Sequence, residues 1–290
     1  MKTKILTILV ILTITSLACS FTIQTPQMKT GPETTTTIDE LYPSVIDIAH
    51  LTLEMGAGTL NIGEGGKKLV EGNITTNVLD WKPEVTRSDN NISISQGKQA
   101  NKVNIPTGDL RNKWDLQLGT EKPISLEINA GAYKSDVVFG KVAIAELKIN
   151  DGASQSKITF DEVNPQTMNN FAYKTGASQV NLINLANANF EEMTFESGAG
   201  SYTLDFNGVL QRDAKVTIKS GLSNIKIIMP SDTACTISLT GGVTNVSLKG
   251  TWTVNSNRYT TQVSSGPTLN INIEMGVGNL ELISLDANSL

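Results

Sequence analysis

Histidine and cysteine are nearly missing from this sequence: His50, Cys19 and Cys235 are the only ones in 290 residues. So few soft ligands exclude most zinc-type centres and leave His50 alone for any imidazole chemistry. Aromatic residues make up only 5% and charged residues 18%, below the roughly 25% usual for soluble domains. The formal net charge is −5 and no basic run occurs, so the chain has no electrostatic footprint for nucleic acid. Past the N-terminus, no apolar stretch approaches the about 20 residues of a spanning helix. Nor does any segment carry a capped 3.6-residue period, which excludes a helical domain. What is present is 39% apolar residues, enough for a sizeable core, set among many Thr, Ser and Asn.

Lys2 and Lys4 precede an apolar run from Ile5 to Leu17, the length of a signal h-region and too short to span a bilayer. The run ends Ser16-Leu17-Ala18-Cys19. Small residues before a cysteine suit a bacterial lipoprotein signal of residues 1–18, cut after Ala18 so that Cys19 carries lipid. An ordinary secretory peptide is the alternative, and either route takes the mature chain out of the cytoplasm. Lipid on Cys19 is the expected membrane contact, placing the protein in the cell envelope. Cys235 is then without a disulfide partner, and its strand-like surroundings, Thr233 to Leu239, suit a buried small hydrophobe. Residues 19–44, with Pro26, Gly31-Pro32 and the run Thr34 to Thr37, read as a solvated tether.

Eight segments then share one template built around Gly56, Gly131, Gly152, Gly176, Gly198, Gly221, Gly242 and Gly276. From Gly131 onward the intervals are 21, 24, 22, 23, 21 and 34, a period near 22 with one late insertion between Gly250 and Pro267. Apolar residues stand five and three positions before each glycine, as in Leu147/Ile149, Met193/Phe195 and Val216/Ile218. Alternation resumes beyond it, as in Val180/Leu182 and Ile225/Ile227. Period-two patterning on both sides of a glycine predicts strand, corner, strand. At the corner glycine permits a positive φ or a close backbone approach. The residue after it, such as Ala177, Leu222 or Val277, is expected to turn back inside.

These units predict an all-β, single-stranded β-helix of about 22 residues per coil, with three short faces and a rise of about 4.8 Å. The alternative is a β-sandwich of hairpins. The interval between Gly56 and Gly131 is long enough for roughly three degenerate coils, within an N-terminal module of residues 45–118. Residues 119–290 form the regular solenoid with its C-terminal cap.

At Leu51-Thr52-Leu53-Glu54-Met55-Gly56-Ala57-Gly58-Thr59-Leu60 the chain resembles the toast-rack family, and Ser197-Gly198-Ala199-Gly200-Ser201 and Met275-Gly276-Val277-Gly278-Asn279 repeat the likeness. That family groups extracytoplasmic bacterial proteins related to LiaF-like envelope-stress regulators and to adhesin-like proteins with a GAG-type repeat. The resemblance implies a right-handed β-helix and no established catalytic residues. LiaF-like members carry transmembrane helices that this sequence does not show, a departure from the pattern to which their signalling role belongs.

Candidate chemistry is sparse. His50 has no nucleophile motif to serve. Gly56-Ala57-Gly58, Gly276-Val277-Gly278 and Gly63 to Lys68 lack the helix that a phosphate loop needs. Asp136, Asp151, Asp161/Glu162, Glu191/Glu192 and Asp205 are the carboxylates to consider for calcium or glycan cleavage, but they fall at different offsets from the glycines. Trp81, Trp114 and Trp252 could stack on sugars or serve in core and caps. Asn73, Asn91 and Asn245 match a glycosylation pattern that a bacterial signal makes incidental. The expectation is therefore a protein without cofactor, metal or catalytic residues. It is an adhesin-like scaffold or sensor whose partner is an envelope protein or glycan, with end-to-end self-association open. A small polysaccharide-binding or polysaccharide-cleaving protein is the alternative.

Overall fold

The computed structural model describes residues 30–44, 47–97, 109–242, 245–263 and 265–285; the signal run, Cys19 and Val243 lie outside the described residues. The first strands are β1 (Thr34–Glu40), β2 (Ala49–Gly66), β3 (Val70–Thr76), β4 (Glu84–Ser88), β5 (Asn91–Ser95) and β6 (Asn112–Gly119). Long strands follow: β7 (Ile124–Val138), β8 (Ile144–Thr159), β9 (Met168–Ile183), β10 (Phe190–Asp205) and β11 (Ala214–Pro230). The chain closes with β12 (Ala234–Gly241), β13 (Asn245–Lys249), β14 (Thr253–Asn255), β15 (Arg258–Thr260) and β16 (Thr268–Leu285). All belong to one sheet, in which β2, β7, β8, β9, β10, β11 and β16 run parallel and side by side.

Each repeat is one long strand bent at its glycine, followed by a short return. The three-sided coil expected from the period thus consists of two strand arms and one irregular arm. Register keeps equivalent residues stacked: Leu126, Leu147, Phe171, Met193, Val216 and Ile271 form one continuous inward column. Its members are between 0% and 1% exposed, which is the packing that alternate apolar residues dictate when one face is buried. Aromatic side chains in the columns contact across rungs, with Phe139 and Phe160 stacked at 5.0 Å and Tyr173 and Phe195 at 5.5 Å. The architecture is a solenoid, not a sandwich of facing layers.

The corner is set by backbone contact. A Cβ on Gly198 would lie 2.5 Å from the carbonyl oxygen of Gly176, and on Gly221 it would lie 2.6 Å from that of Gly198. The same carbonyl-over-glycine contact recurs from Gly131 on Gly56 to Gly276 on Gly221 and Gly242 on Gly276. Close approach is therefore the reason for glycine here, and no positive φ occurs at these seven positions. Ladder pairing skips the glycine, passing from Ser197↔Ser220 to Ala199↔Leu222. The bend consumes two outward positions, the glycine and its successor. Inward side chains accordingly resume two residues after the glycine, and Leu222 and Val277 are 63% and 54% exposed. The expectation that this residue turns inside is overturned.

Three further features differ from the sequence reading. The run read as tether contains β1, which pairs antiparallel with β3 and buries Ile38, so any spacer ends before Thr34. The interval after Gly56 does not hold three coils, because β2 pairs directly with β7. Within it, β5 and β6 together form one split rung on the other side of β2, with β4 on β5 and β3 and β1 on β6. Lastly, β16 stands between β11 and β12, so the last repeat in sequence is not last in space. An unbroken strand ladders fully on β11, whereas the broken pair β12 and β13 costs least backbone pairing at the end of the stack.

Two substitution sets test this architecture by denaturant unfolding. Gly198→Ala should lose about 1–3 kcal/mol, because a backbone carbonyl cannot step aside. Gly63→Ala, where an added Cβ meets nothing within 4 Å, should stay within about 0.5 kcal/mol of the parent. Ile218→Asp should prevent folding by burying an unpaired charge, while Lys219→Ala on the exposed face should be nearly silent.

Candidate functional site

Side chains two positions before each glycine point outward, and on successive strands they are Asn150, Lys174, Glu196, Lys219 and Glu274. Charge alternates along the last four. Lys174 Nζ lies 3.0 Å from Glu196 Oε2, and both groups are more than a third exposed. A pair so open to water adds little stability and remains available to a ligand. The column forms one wall of a groove of about 880 Å³ that runs along the glycine corner. Hydroxyls of Thr175, Ser197 and Ser220 line it, and bare glycine backbone at Gly221, Gly242 and Gly276 lies alongside.

Beneath one end of the groove lies a hydroxyl cluster centred on Asp151. Its Oδ2 accepts hydrogen bonds from Tyr173 OH at 2.8 Å and Ser154 Oγ at 3.0 Å. Its Oδ1 accepts from Thr175 Oγ1 and from Ser178 Oγ at 3.3 Å. Farther along the corner, Ser197 and Ser220 share a bond at 2.8 Å, and Ser220 donates to Ser223 at 2.6 Å. The side chains of this inner polar spine satisfy one another, and Ser178 Oγ also accepts from the Ser154 amide at 2.8 Å just past the bend. Burial pushes the Tyr133 hydroxyl up to about 12, with the nearby Asp151 charge adding to the effect. Burial likewise raises the Tyr173 hydroxyl well above its ordinary value. Neither phenol ionises near neutral pH, and four hydroxyl donors already hold the Asp151 carboxylate.

The other carboxylates considered from sequence are not brought together. Asp161 Oδ1 accepts from the Gly140 amide at 3.0 Å, and Glu162 reaches Lys141 at 3.7 Å. Glu191 and Glu192 face Arg212 at 3.6 Å and Lys215 at 3.9 Å. Asp136 is exposed on β7. Asp205 accepts from the Asn207 amide at 2.9 Å, and burial raises its carboxyl. His50 sits half-buried at the start of β2. The tryptophans serve separate sites: Trp114 is fully buried, its Nε1 donating to Asn112 Oδ1 at 3.0 Å, Trp81 lies buried in a 3-10 turn, and Trp252 packs on the terminal rung. The turn from Gly63 to Lys68 offers no helix; Glu64 there accepts from the Lys141 amide at 2.6 Å. Among the described residues, no group of three His, Cys, Asp or Glu is placed to hold a metal, and no helix is long and apolar enough to cross a membrane.

Sequence reasoning missed two sets of positioning residues. Gln96 Oε1 accepts from the amides of Gly56 and Ala57 at 2.7 and 3.2 Å, closing the glycine column at its first rung. In the return arm, Asn164 bonds both backbone groups of Ile144, and Asn187 and Asn189 bond the next returns. Their signal is one repeated residue type at near-repeat spacing outside the strands, where period-two alternation carries no information.

A solenoid of in-register bent strands stacked on a glycine column defines the class of protein. A family model described as the N-terminal domain of toast_rack matches residues 29–170 and again 162–228, and the chain belongs to that family. No curated protein matches it. Among solved structures it is similar to a candidate cell adhesion protein from Clostridium sporogenes, at 20% identity over 88% of this chain and 99% of that one, with a TM-score of 0.48. It is also similar to a candidate adhesin from Bacteroides fragilis, at 10% identity over 89% and 99%, with a TM-score of 0.40.

Two outcomes follow from the titratable groups. Burial pushes the Cys235 thiol up to about 12, so it should resist alkylation in native protein and react once denatured. Burial tends to raise Glu127, but hydrogen bonds from Lys148 and Asn129 outweigh it and hold the carboxyl below 4.5. Bonds from Lys249 and Lys226 lower Glu281 in the same way. Groups with depressed values stabilise fully above the unfolded value and lose that contribution as pH falls through the folded one. Melting temperature should therefore fall below about pH 4.5, and Glu127→Gln should flatten that limb.

Proposed function

We propose that this chain is a non-catalytic, lipid-anchored rod on the outer face of a cell membrane, adhesin-like in that it holds a polar surface ligand along its corner groove. The observation that carries the reading is the alternating row Lys174, Glu196, Lys219, Glu274, held in ladder register along one wall of the groove. Charges repeated at the strand spacing of about 4.8 Å suit an extended polar polymer, such as a glycan of the envelope, because the sheet sets the spacing of their backbones before a ligand arrives. Lipid on Cys19 would leave about 15 residues before Thr34, a reach of at most roughly 50 Å. Labelling with radioactive palmitate tests the anchor, and Cys19→Ala should abolish incorporation. For the groove, the test is a glycan array and envelope pull-down with the parent and a Lys174→Ala/Lys219→Ala chain. The variant should lose at least about tenfold in retention. Equal retention would remove the groove from the account.

One observation favours glycan cleavage as a second reading. Glu196 and Glu274 stand two strands apart on one groove wall, about 9.6 Å by strand spacing, close to the separation used by inverting hydrolases. Yet a general acid needs a desolvated, neutral carboxyl, and Glu196 is paired with Lys174 in water. Polysaccharide turnover that disappears in both Glu196→Gln and Glu274→Gln would replace binding by catalysis.

A further inference from the structure

The stack ends in four half-rungs, two at each extremity, and they are not finished alike. At the first extremity β6 is covered by β3 and β5 by β4, and Trp114, Leu116, Ile92 and Ile94 beneath them are at most 5% exposed. At the other, β12 is covered by β15, and Ile237 and Leu239 are 0% and 8% exposed. In all three places the covering strand is antiparallel. The fourth half-rung, β13, pairs with β16 and with no second strand among the described residues. It terminates two inward columns, with Val246 over Leu280 and Leu248 over Leu282. The lower pair is fully buried, but Leu248 is 39% exposed and Val246 half-buried. The Lys249 carbonyl accepts from Trp252 Nε1 at 3.1 Å; otherwise β13 has no partner strand beyond β16 among the described residues, and the end of an apolar core is open at the same spot, the condition under which an edge strand recruits another.

We propose that this edge pairs with β13 of a second copy, antiparallel, giving a closed tail-to-tail dimer. The sequence Asn245-Val246-Ser247-Leu248-Lys249 is self-complementary about Ser247. A twofold axis there sets Val246 opposite Leu248 of the second copy, twice, on the face that carries the core. It sets Asn245 opposite Lys249 of the second copy on the outer face, where Glu281 already holds Lys249 at 2.6 Å. Apolar pairs directly opposite one another are the contacts that stabilise strand pairing. The remaining outer edges offer a poorer partner, since β1 ends in the charges Asp39 and Glu40, β4 carries the charges Glu84 and Arg87, and β14 is only three residues long. On the other arm β15 and β14 stand two strands beyond the level of β13. Antiparallel pairing puts the hairpins of the two copies at opposite ends of the shared edge, so they do not collide. Because the contact uses the same patch on both copies, it closes at two chains.

Sedimentation of the full chain in mild detergent tests the proposal. A dimer is expected, and Leu248→Lys, at an exposed position, should raise its dissociation constant at least about tenfold while the melting temperature measured on dilute monomer stays that of the parent. Mild oxidation of a Ser247→Cys chain should give a disulfide-linked dimer, while Cys235 stays reduced. A monomeric parent whose Ser247→Cys variant does not crosslink would overturn the proposal. So would a dimer indifferent to Leu248→Lys, or assemblies larger than two.

Discussion

Everything in this molecule depends on backbone stacked directly on backbone at the corner. From Gly131 onward, each corner glycine has the carbonyl of a neighbouring rung's glycine where its own side chain would stand. That contact permits a strand of fifteen or more residues to bend sharply without leaving its neighbours' register. The bend in turn gives the sheet an inside. Two arms of one strand face each other across aliphatic and aromatic columns, and the hydroxyls around Asp151, Ser197 and Ser220 bond to one another along the inside of the corner. Because every rung copies the one below, a residue type chosen at one offset is repeated along the rod. The charged column of the groove and the asparagines of the return arm both follow from that repetition.

Repetition also creates the problem of the ends. An interior rung buries both its edges, whereas a terminal one cannot. The chain answers by leaving the stack after β2, building the split rung of β5 and β6 with its antiparallel cover, and returning to β2's other side. At the far extremity it sends β12 and β13 outward first and slots the unbroken β16 beneath them. Broken rungs therefore lie at the periphery, where interrupted pairing does least harm. Among the described residues, the edge of β13 is the half-rung that this scheme leaves without a covering strand.

The long strands and their inward columns were legible in the sequence, because alternation and a glycine at fixed period leave few other solutions. Orientation at the corner was not. Alternation predicts an inward residue after the glycine, but the bend consumes an extra outward position, so Leu222 and Val277 face solvent despite being apolar. The strand at Thr34–Glu40 was hidden because Ile38 is its one large apolar residue and its partner β3 lies far along the chain. Spatial order at the C-terminal end was equally hidden, since equivalent repeats carry no label saying which neighbours which. As for the groove, its charges are spread over four repeats, and Lys174, Glu196, Lys219 and Glu274 form a pattern only after the repeats are laid in register.

Membership of the toast-rack family and the solenoid architecture fix what this protein is built as, and the proposed ligand groove and tail-to-tail edge are both consequences of the same stacking. The most direct test of that stacking is hydrogen exchange on a chain carrying Gly176→Ala, compared strand by strand with the parent. A carbonyl-on-glycine column predicts loss of amide protection in β8, β9 and β10 together, on both sides of the altered rung, with β1 and β3 unaffected. Unchanged protection in all of these strands would contradict it, because a side chain would then have found room where the account leaves none.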